Sequence, residues 1–178
     1  MNQACADIFM GRGTNTARMK GRSLAQLYDR AFATERMALI RATLKGGRPV
    51  LFRAFWRGRQ HYSWLTPHDD LVLVVTRRHG ATMEAGLEGA ASSGYRRIDS
   101  SVVGLGPLAE LTPPERVVLA LLGDGMSAAE AAAALSRSPN TVRTHQRRIG
   151  EKLGVHGRAA LVKYVQRIGL TLGDVSGR

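Results

Sequence analysis

Three helix starts stand close together in the second half of the chain, and they limit its fold more than any other feature. In "LTPPERVVLALLGDG", Thr112 is followed by Pro113, Pro114 and Glu115. A threonine three residues ahead of a glutamate can form a capping box, each side chain bonding the other's backbone amide. Proline in that first turn loses nothing, because its amide would have no helical partner. "MSAAEAAAALSRS" repeats the device with Ser127 and Glu130, and "SPNTVRTHQRRIGEKLGV" opens on Ser138 with Pro139 at the first helical position. Apolar residues follow each start at helical spacing: Val117, Val118, Leu121 and Leu122; then Ala131, Ala132 and Leu135; then Val142, Ile149 and Leu153. A fourth helix runs from about Gly157 to Ile168 and closes at Gly169. The pattern predicts a helix, a short helix, a tight turn, a second helix and a packing helix, which is a helix-turn-helix with support on both sides.

The third of these helices carries its charge on one side. Arg143 and Arg147 are one turn apart, Thr144 lies beside them, and all three point away from the Val142–Ile149–Leu153 stripe. A helix fits the major groove of DNA, and arginine can donate twice to guanine there. The helix start at Ser138 also favours a phosphate. The competing reading is an ordinary solvated face. Net charge does not decide between them. The chain has 26 Lys+Arg against 14 Asp+Glu, a net +12 that favours polyanions. Yet there are 16 basic and 8 acidic residues up to Gly106, and 10 and 6 beyond it. The excess is spread over both halves, so the placement of the charges matters more than their sum. His145 has no second metal ligand at workable spacing, which leaves a structural or phosphate-contacting role.

The segment from Leu111 to Leu170 resembles the LuxR-type (NarL-like) helix-turn-helix domain through "LTPPE", "GMS", "SPNTVRTH" and "KLGVHGRAALV" in that order. The resemblance implies a DNA-binding domain over 107–172, with the helix-turn-helix motif at about 128–147. It implies a sequence-specific transcription regulator that lays Ser138–Leu153 in the major groove and works as a homodimer. Carried over by position, the base contacts fall on Arg143, Thr144 and Arg147. Backbone contacts fall on Ser138, Thr141, His145 and Arg148. Dimerisation falls on the fourth helix, through Leu161, Tyr164 and Val165, with packing inside the domain as the alternative role for those three. Two departures stand out. Ala131-Ala132 occupies the place of the family's Ile-Ala pair, a loss of about 2–4 kcal/mol of core if nothing compensates. Pro114 stands where arginine is commoner.

The first half is of another kind. "GGRPVLFRAFWRGRQHYSWLTPHDDLVLVVTRRHG" reads as three strands, Pro49–Arg57, His61–Thr66 and Leu71–Thr76, with turns at Gly58-Arg59 and Pro67–Asp70. A helix over Thr34–Lys45 precedes them. Helices followed by this meander resemble the later part of a PAS domain, so residues 1–80 are expected to form a truncated PAS-like sensor or dimerisation domain. The first two strands of such a domain would precede Asn2, so either the domain is reduced or Met1 is not the true start. The strand Leu71–Thr76 should then be an exposed, very apolar edge that wants a partner chain. Residues 81–106, rich in Gly, Ala and Ser, read as a linker with a weak helix near Met83–Ala91 and an extended piece near Arg97–Val103. The fold class is therefore α+β: a C-terminal four-helix helix-turn-helix domain behind PAS-like helices and a three-stranded antiparallel meander.

Other chemistries find little support. No cofactor is expected: a heme would want a histidine on Glu35–Lys45, and Cys5 in "NQACAD" does not supply the flavin-binding motif. As the one cysteine, Cys5 also excludes an intrachain disulfide and a multi-cysteine zinc site. Asp69-Asp70 sits in a turn rather than behind an early parallel strand, which disfavours a phosphorylated receiver. No nucleophile–base pair or phosphate-cradling loop has usable spacing, so an enzyme is not expected. The sequence carries neither a secretory signal nor an apolar run of membrane-spanning length, so the expectation is a cytoplasmic protein with no membrane contact. Its expected partners are double-stranded DNA and a second copy of itself, with RNA polymerase left open and the sensory ligand unknown. Two alternatives stand beside this reading: a polymerase-recruiting module like sigma-factor region four, and an interaction module that no longer binds DNA.

Overall fold

The protein is represented by a computed structural model that describes residues 3–10, 13–80 and 83–176. Two compact units emerge, one of Met1–Trp56 with His61–Val103, the other of Arg57–Gln60 with Gly104–Arg178.

The first unit opens with α1 (Gln3–Phe9), a 3-10 turn (Thr16–Met19) and α2 (Leu24–Leu27). The long helix α3 (Arg30–Gly46) starts earlier than its sequence periodicity shows. Asp29 is the reason: its Oδ1 accepts the Phe32 amide at 2.9 Å, so the added turn is capped and buries Phe32 and Ala33. Gly47 closes α3 in the left-handed conformation, with φ of 60°. Next come β1 (Val50–Trp56), β2 (Arg59–His68) and β3 (Leu71–Arg78). The first hairpin turns one residue earlier than its glycine implied, at Arg57-Gly58, with φ of 51° and 73°. Pro67 lies inside β2, opposite Val72, rather than in the second turn.

The sheet has four strands, in the order β3-β2-β1-β4, and so is larger than the expected meander. The segment read as a linker supplies the rest: α4 (Met83–Ser92) and β4 (Arg96–Asp99). β4 pairs parallel to β1, from Val50↔Arg96 to Arg53↔Asp99. "RRID" is too short and too polar to show alternation, and its pairing partner lies far away in sequence. The end of β4 is held to α3 by Glu35, whose carboxylate accepts the Ser101 amide at 2.6 Å and the Ser101 hydroxyl at 2.7 Å.

Helices cover the inner strands on both faces. Leu39 of α3 packs with Val50, Phe52, Ala54 and Leu65, while Ala90 of α4 packs with Leu51 and Tyr62. β1 is consequently buried from Val50 to Phe55, on both sides of the sheet. β3 is the opposite case. It lies at the sheet edge, and Leu71, Leu73, Val74 and Val75 are exposed. The apolar edge expected from the sequence is present.

The sequence analysis did not single out Arg36. It is 7% exposed, and its guanidinium lies 4.8 Å from the Phe32 ring centre and 4.4 Å from that of Phe52. Its Nη1 donates to Ser63 Oγ at 3.0 Å, and Ser63 in turn pairs with Thr76 Oγ1 at 2.8 Å. Nearby is a cavity of about 230 Å³, lined by Phe9, Tyr28, Phe32, Arg36, Val74 and Thr76 among others.

The second unit is helical: a 3-10 turn (Gly106–Glu110), α5 (Pro113–Gly123), α6 (Ala128–Ala134), α7 (Pro139–Leu153), α8 (Arg158–Ile168) and the short α9 (Leu172–Val175). The four main helices fall where their punctuation placed them. α5 is central, packing on α7 and α8, and Leu119, Leu122, Val142 and Ile149 are fully or almost fully buried. α5 and α8 approach so closely that a Cβ on Gly123 would lie 2.1 Å from Val165 Cγ1. Gly123→Ala should therefore destabilise the helical unit by about 1–3 kcal/mol through overpacking. Gly46→Ala, whose added carbon would meet nothing within 4 Å, should cost nothing measurable. Urea denaturation followed by helical circular dichroism compares the two.

Candidate nucleic-acid interface

α7 is the helix that this unit presents. Its start is capped as the sequence predicts: Ser138 Oγ accepts the Thr141 amide at 3.1 Å, and Pro139 fills the first turn. The preceding helix carries the expected box, with Ser127 Oγ accepting the Glu130 amide at 3.2 Å and Glu130 Oε2 accepting the Ser127 amide at 2.7 Å. Between α6 and α7 the chain reverses through Ser136, whose φ is 52°. Arg137 donates its amide to Ala132 O at 2.9 Å and completes the turn. Ala131 and Ala132 are 0% and 1% exposed, and α6 packs on α7. These small side chains permit a close helix spacing.

Burial fixes the orientation of α7. Val142 and Ile149 are 1% and 0% exposed, so the opposite side faces solvent. Arg143 and Arg147 are exposed on that side, with the partly buried Thr144 beside them. The Thr144 hydroxyl donates to Asn140 O at 3.0 Å, which holds its methyl in a defined direction. Arg147 Nη1 lies 3.3 Å from Glu151 Oε1, and both side chains are more than half exposed. Such a surface pair is worth little and exchanges readily for a stronger acceptor.

The other expected contacts divide. Ser138 and Thr141 are exposed at the helix start, and Arg148 is exposed on the flank of the arginine face. His145 is turned away from it. His145 borders a groove with Pro113, Val117, Leu135 and Thr141, and its buried Nδ1 has no hydrogen-bond partner among the described residues. Of the three residues expected at a dimer contact, two take the alternative role of packing inside the unit. Leu161 and Val165 are 1% and 2% exposed and belong to the unit's own core, where Val165 covers Gly123. Tyr164 is half-buried, with the Arg167 guanidinium 5.5 Å from its ring centre.

Lys152 has a role that its sequence position did not reveal. Its Nζ lies 2.6 Å from Glu115 Oε2, and the same oxygen accepts the Thr112 amide at 2.8 Å. Glu115, 2% exposed, thus serves both as the capping residue of α5 and as the anchor for the last turn of α7. Burial pushes the Glu115 carboxyl upward, but the Lys152 ammonium and the Thr112 amide and hydroxyl outweigh it and hold the group below its ordinary range. A depressed carboxyl contributes stability that is present above its unfolded value and lost as pH falls through the folded one. The helical unit should therefore weaken as pH drops below about 4.5, the ordinary value of the group. Glu115→Gln should cost about 1–3 kcal/mol at neutral pH and remove most of that dependence. Urea midpoints at pH 7 and pH 4 for both proteins test this.

Among the described residues, no group of three or more His, Cys, Asp or Glu could hold a metal ion. Nor is any helix among them long and apolar enough to cross a membrane. The Cys5 side chain lies outside the described residues.

Residues 109–165 match the family of bacterial regulatory proteins, luxR family. This segment, about a third of the chain, is similar to the domain that this family shares. Similar solved structures extend over nearly the whole chain. The complex of Vibrio cholerae VqmA with ligand and DNA is 19% identical with a TM-score of 0.43, covering 99% of this chain and 80% of that one. The complex of phage VqmA with DPO is 22% identical with a TM-score of 0.38, covering 92% and 75%. The dimer of Vibrio cholerae VqmA without target DNA is 20% identical with a TM-score of 0.34, covering 92% and 74%. At such scores nothing of those proteins' ligands or assembly transfers to this chain. The curated proteins compared with the chain give no match.

Proposed function

We propose that the protein is a sequence-specific transcription regulator that binds DNA as a homodimer, with α7 entering the major groove. One observation carries the reading. Two exposed arginines one turn apart, Arg143 and Arg147, occupy the side of α7 opposite its buried stripe, behind a capped helix start. In this reading Arg143, Thr144 and Arg147 meet base edges, and Arg148, Thr141 and Ser138 meet phosphates. His145 contributes through its groove rather than through the outer face. On α8, Tyr164 has surface to offer a second copy, whereas Leu161 and Val165 support it from within. RNA polymerase is a further partner for a regulator of this kind.

The first unit is the sensing half. Its cavity has aromatic walls from Phe9, Tyr28 and Phe32 and polar groups from Arg36 and Thr76. That chemistry suits a small flat molecule carrying a hydrogen-bond acceptor. Native mass spectrometry of the full chain purified from its host should show a bound small molecule, which Val74→Trp displaces by filling the space.

Arg143→Ala and Arg147→Ala should each weaken binding to an in vitro selected site by about 1–3 kcal/mol. Arg148→Ala should weaken selected and unrelated DNA alike. Electrophoretic shifts with unchanged affinity for the selected site would overturn the assignment. A palindromic selected sequence supports the homodimer; a polymerase-dependent shift alone would favour the sigma-like alternative.

A further inference from the structure

The first turn of α7 holds a polar side chain that neither the fold nor the arginine face uses. A helix advances about 100° per residue, so Asn140 lies about 160° around the axis from Val142 and about 180° from Ile149. Those two residues fix the buried side. Asn140 therefore stands squarely on the outward line of the helix, with Thr144 one turn further along it. It is exposed, and its carboxamide makes no hydrogen bond among the described residues. The hydroxyls around it are committed. Ser138 Oγ accepts the Thr141 amide and pairs with Thr141 Oγ1 at 2.9 Å. The Thr144 hydroxyl gives its hydrogen to Asn140 O, so Thr144 has no donor left for a base. Nor does the Asn140 side chain serve the helix. The cap is Ser138, and asparagine past the cap is a poor helix former.

From this we infer that Asn140 is a further specificity-determining residue, whose carboxamide pairs with the major-groove edge of an adenine. The inference rests on the reading of α7 as the helix that enters the groove. Chemistry selects the base. A carboxamide sets an acceptor oxygen beside a donor nitrogen. Adenine offers the complement, an N7 acceptor beside an N6 donor, and so takes both bonds. Guanine presents two acceptors, which suit Arg143 and Arg147 and would leave the carboxamide oxygen unpaired. Cytosine offers a donor and thymine an acceptor, so each satisfies half of the group. Position selects bases over phosphates. Thr141 and Arg148 lie on the flank of α7, toward a groove wall, whereas the outward line faces the groove floor. The N-terminal residues of a recognition helix are also the ones that reach base edges.

The experiment uses the full chain and a duplex obtained with it by in vitro selection. Each adenine of the half-site is replaced in turn by 7-deazaadenine, which keeps Watson–Crick pairing and removes the N7 acceptor. At one adenine per half-site the wild-type chain should lose at least about fivefold in affinity, the lower end for a lost bidentate contact. Asn140→Ala should bind the unmodified duplex as weakly and should no longer respond to 7-deazaadenine there. Selection repeated with Asn140→Ala should lose its preference at that position alone. Alanine favours the helix, so the thermal midpoint by circular dichroism should not fall. No responsive adenine, an undiminished 7-deazaadenine response in Asn140→Ala, or an equal loss on selected and unrelated DNA would each overturn the proposal, the last by making Asn140 a phosphate contact. The operator reading fails separately. If Arg143→Ala loses specific affinity while Asn140→Ala does not, α7 reads the groove without Asn140.

Discussion

The burial of Val142 and Ile149 against the core of the helical unit is the constraint on which its other features depend. An α-helix has no preferred rotation about its axis until one side is removed from water. Once these two side chains are committed, Arg143 and Arg147 must point outward and Thr144 must lie between them and the flank. The order of events is thus apolar packing first, charge display second. The cap at Ser138 fixes where the helix begins, and so which residues occupy its first two turns. Those turns are the ones that reach base edges when such a helix enters a groove. Specificity, on this account, begins in a hydrophobic stripe that never touches DNA.

What could be read from the sequence follows the range of the interactions. Capping boxes are contained within four residues, so Thr112–Glu115 and Ser127–Glu130 were readable as written and appear in the structure with both halves formed. The edge at Leu71–Thr76 was different: it followed from the resemblance, since a nearly continuous apolar run reads locally as a buried strand. The features that escaped are held by distant partners. β4 has four residues and little pattern, and it exists because β1 offers a free parallel edge. The role of Lys152 could not be read locally because its partner, Glu115, belongs to another helix. Arg36 carries no local signal, yet it lies against aromatic rings from α3 and β1. Leu161 and Val165 have the spacing of a contact stripe. Spacing alone does not tell whether the contact lies within one chain or between two; within this chain Val165 lies against Gly123.

The two units differ in how they satisfy their surfaces. The helical unit closes its core internally and leaves chiefly charge outside. The first unit covers β1 completely and leaves β3 with three aliphatic side chains in water on one face. Chemistry at the cavity shared by Val74 and Thr76 is then only one peptide away from the exposed residues of the same strand.

The Glu115–Lys152 pair joins the first turn of α5 to the last turn of α7, and the arginines are not part of it. Acid that neutralises Glu115 therefore leaves the exposed Arg143 and Arg147 charged while loosening the far end of the helix that carries them. A protein in that state would still be drawn to phosphates but would aim its arginines less accurately. Discrimination between sequences would decay before affinity for DNA as a polyanion. If α7 reads DNA as proposed, the carboxylate acts on recognition as an alignment pin.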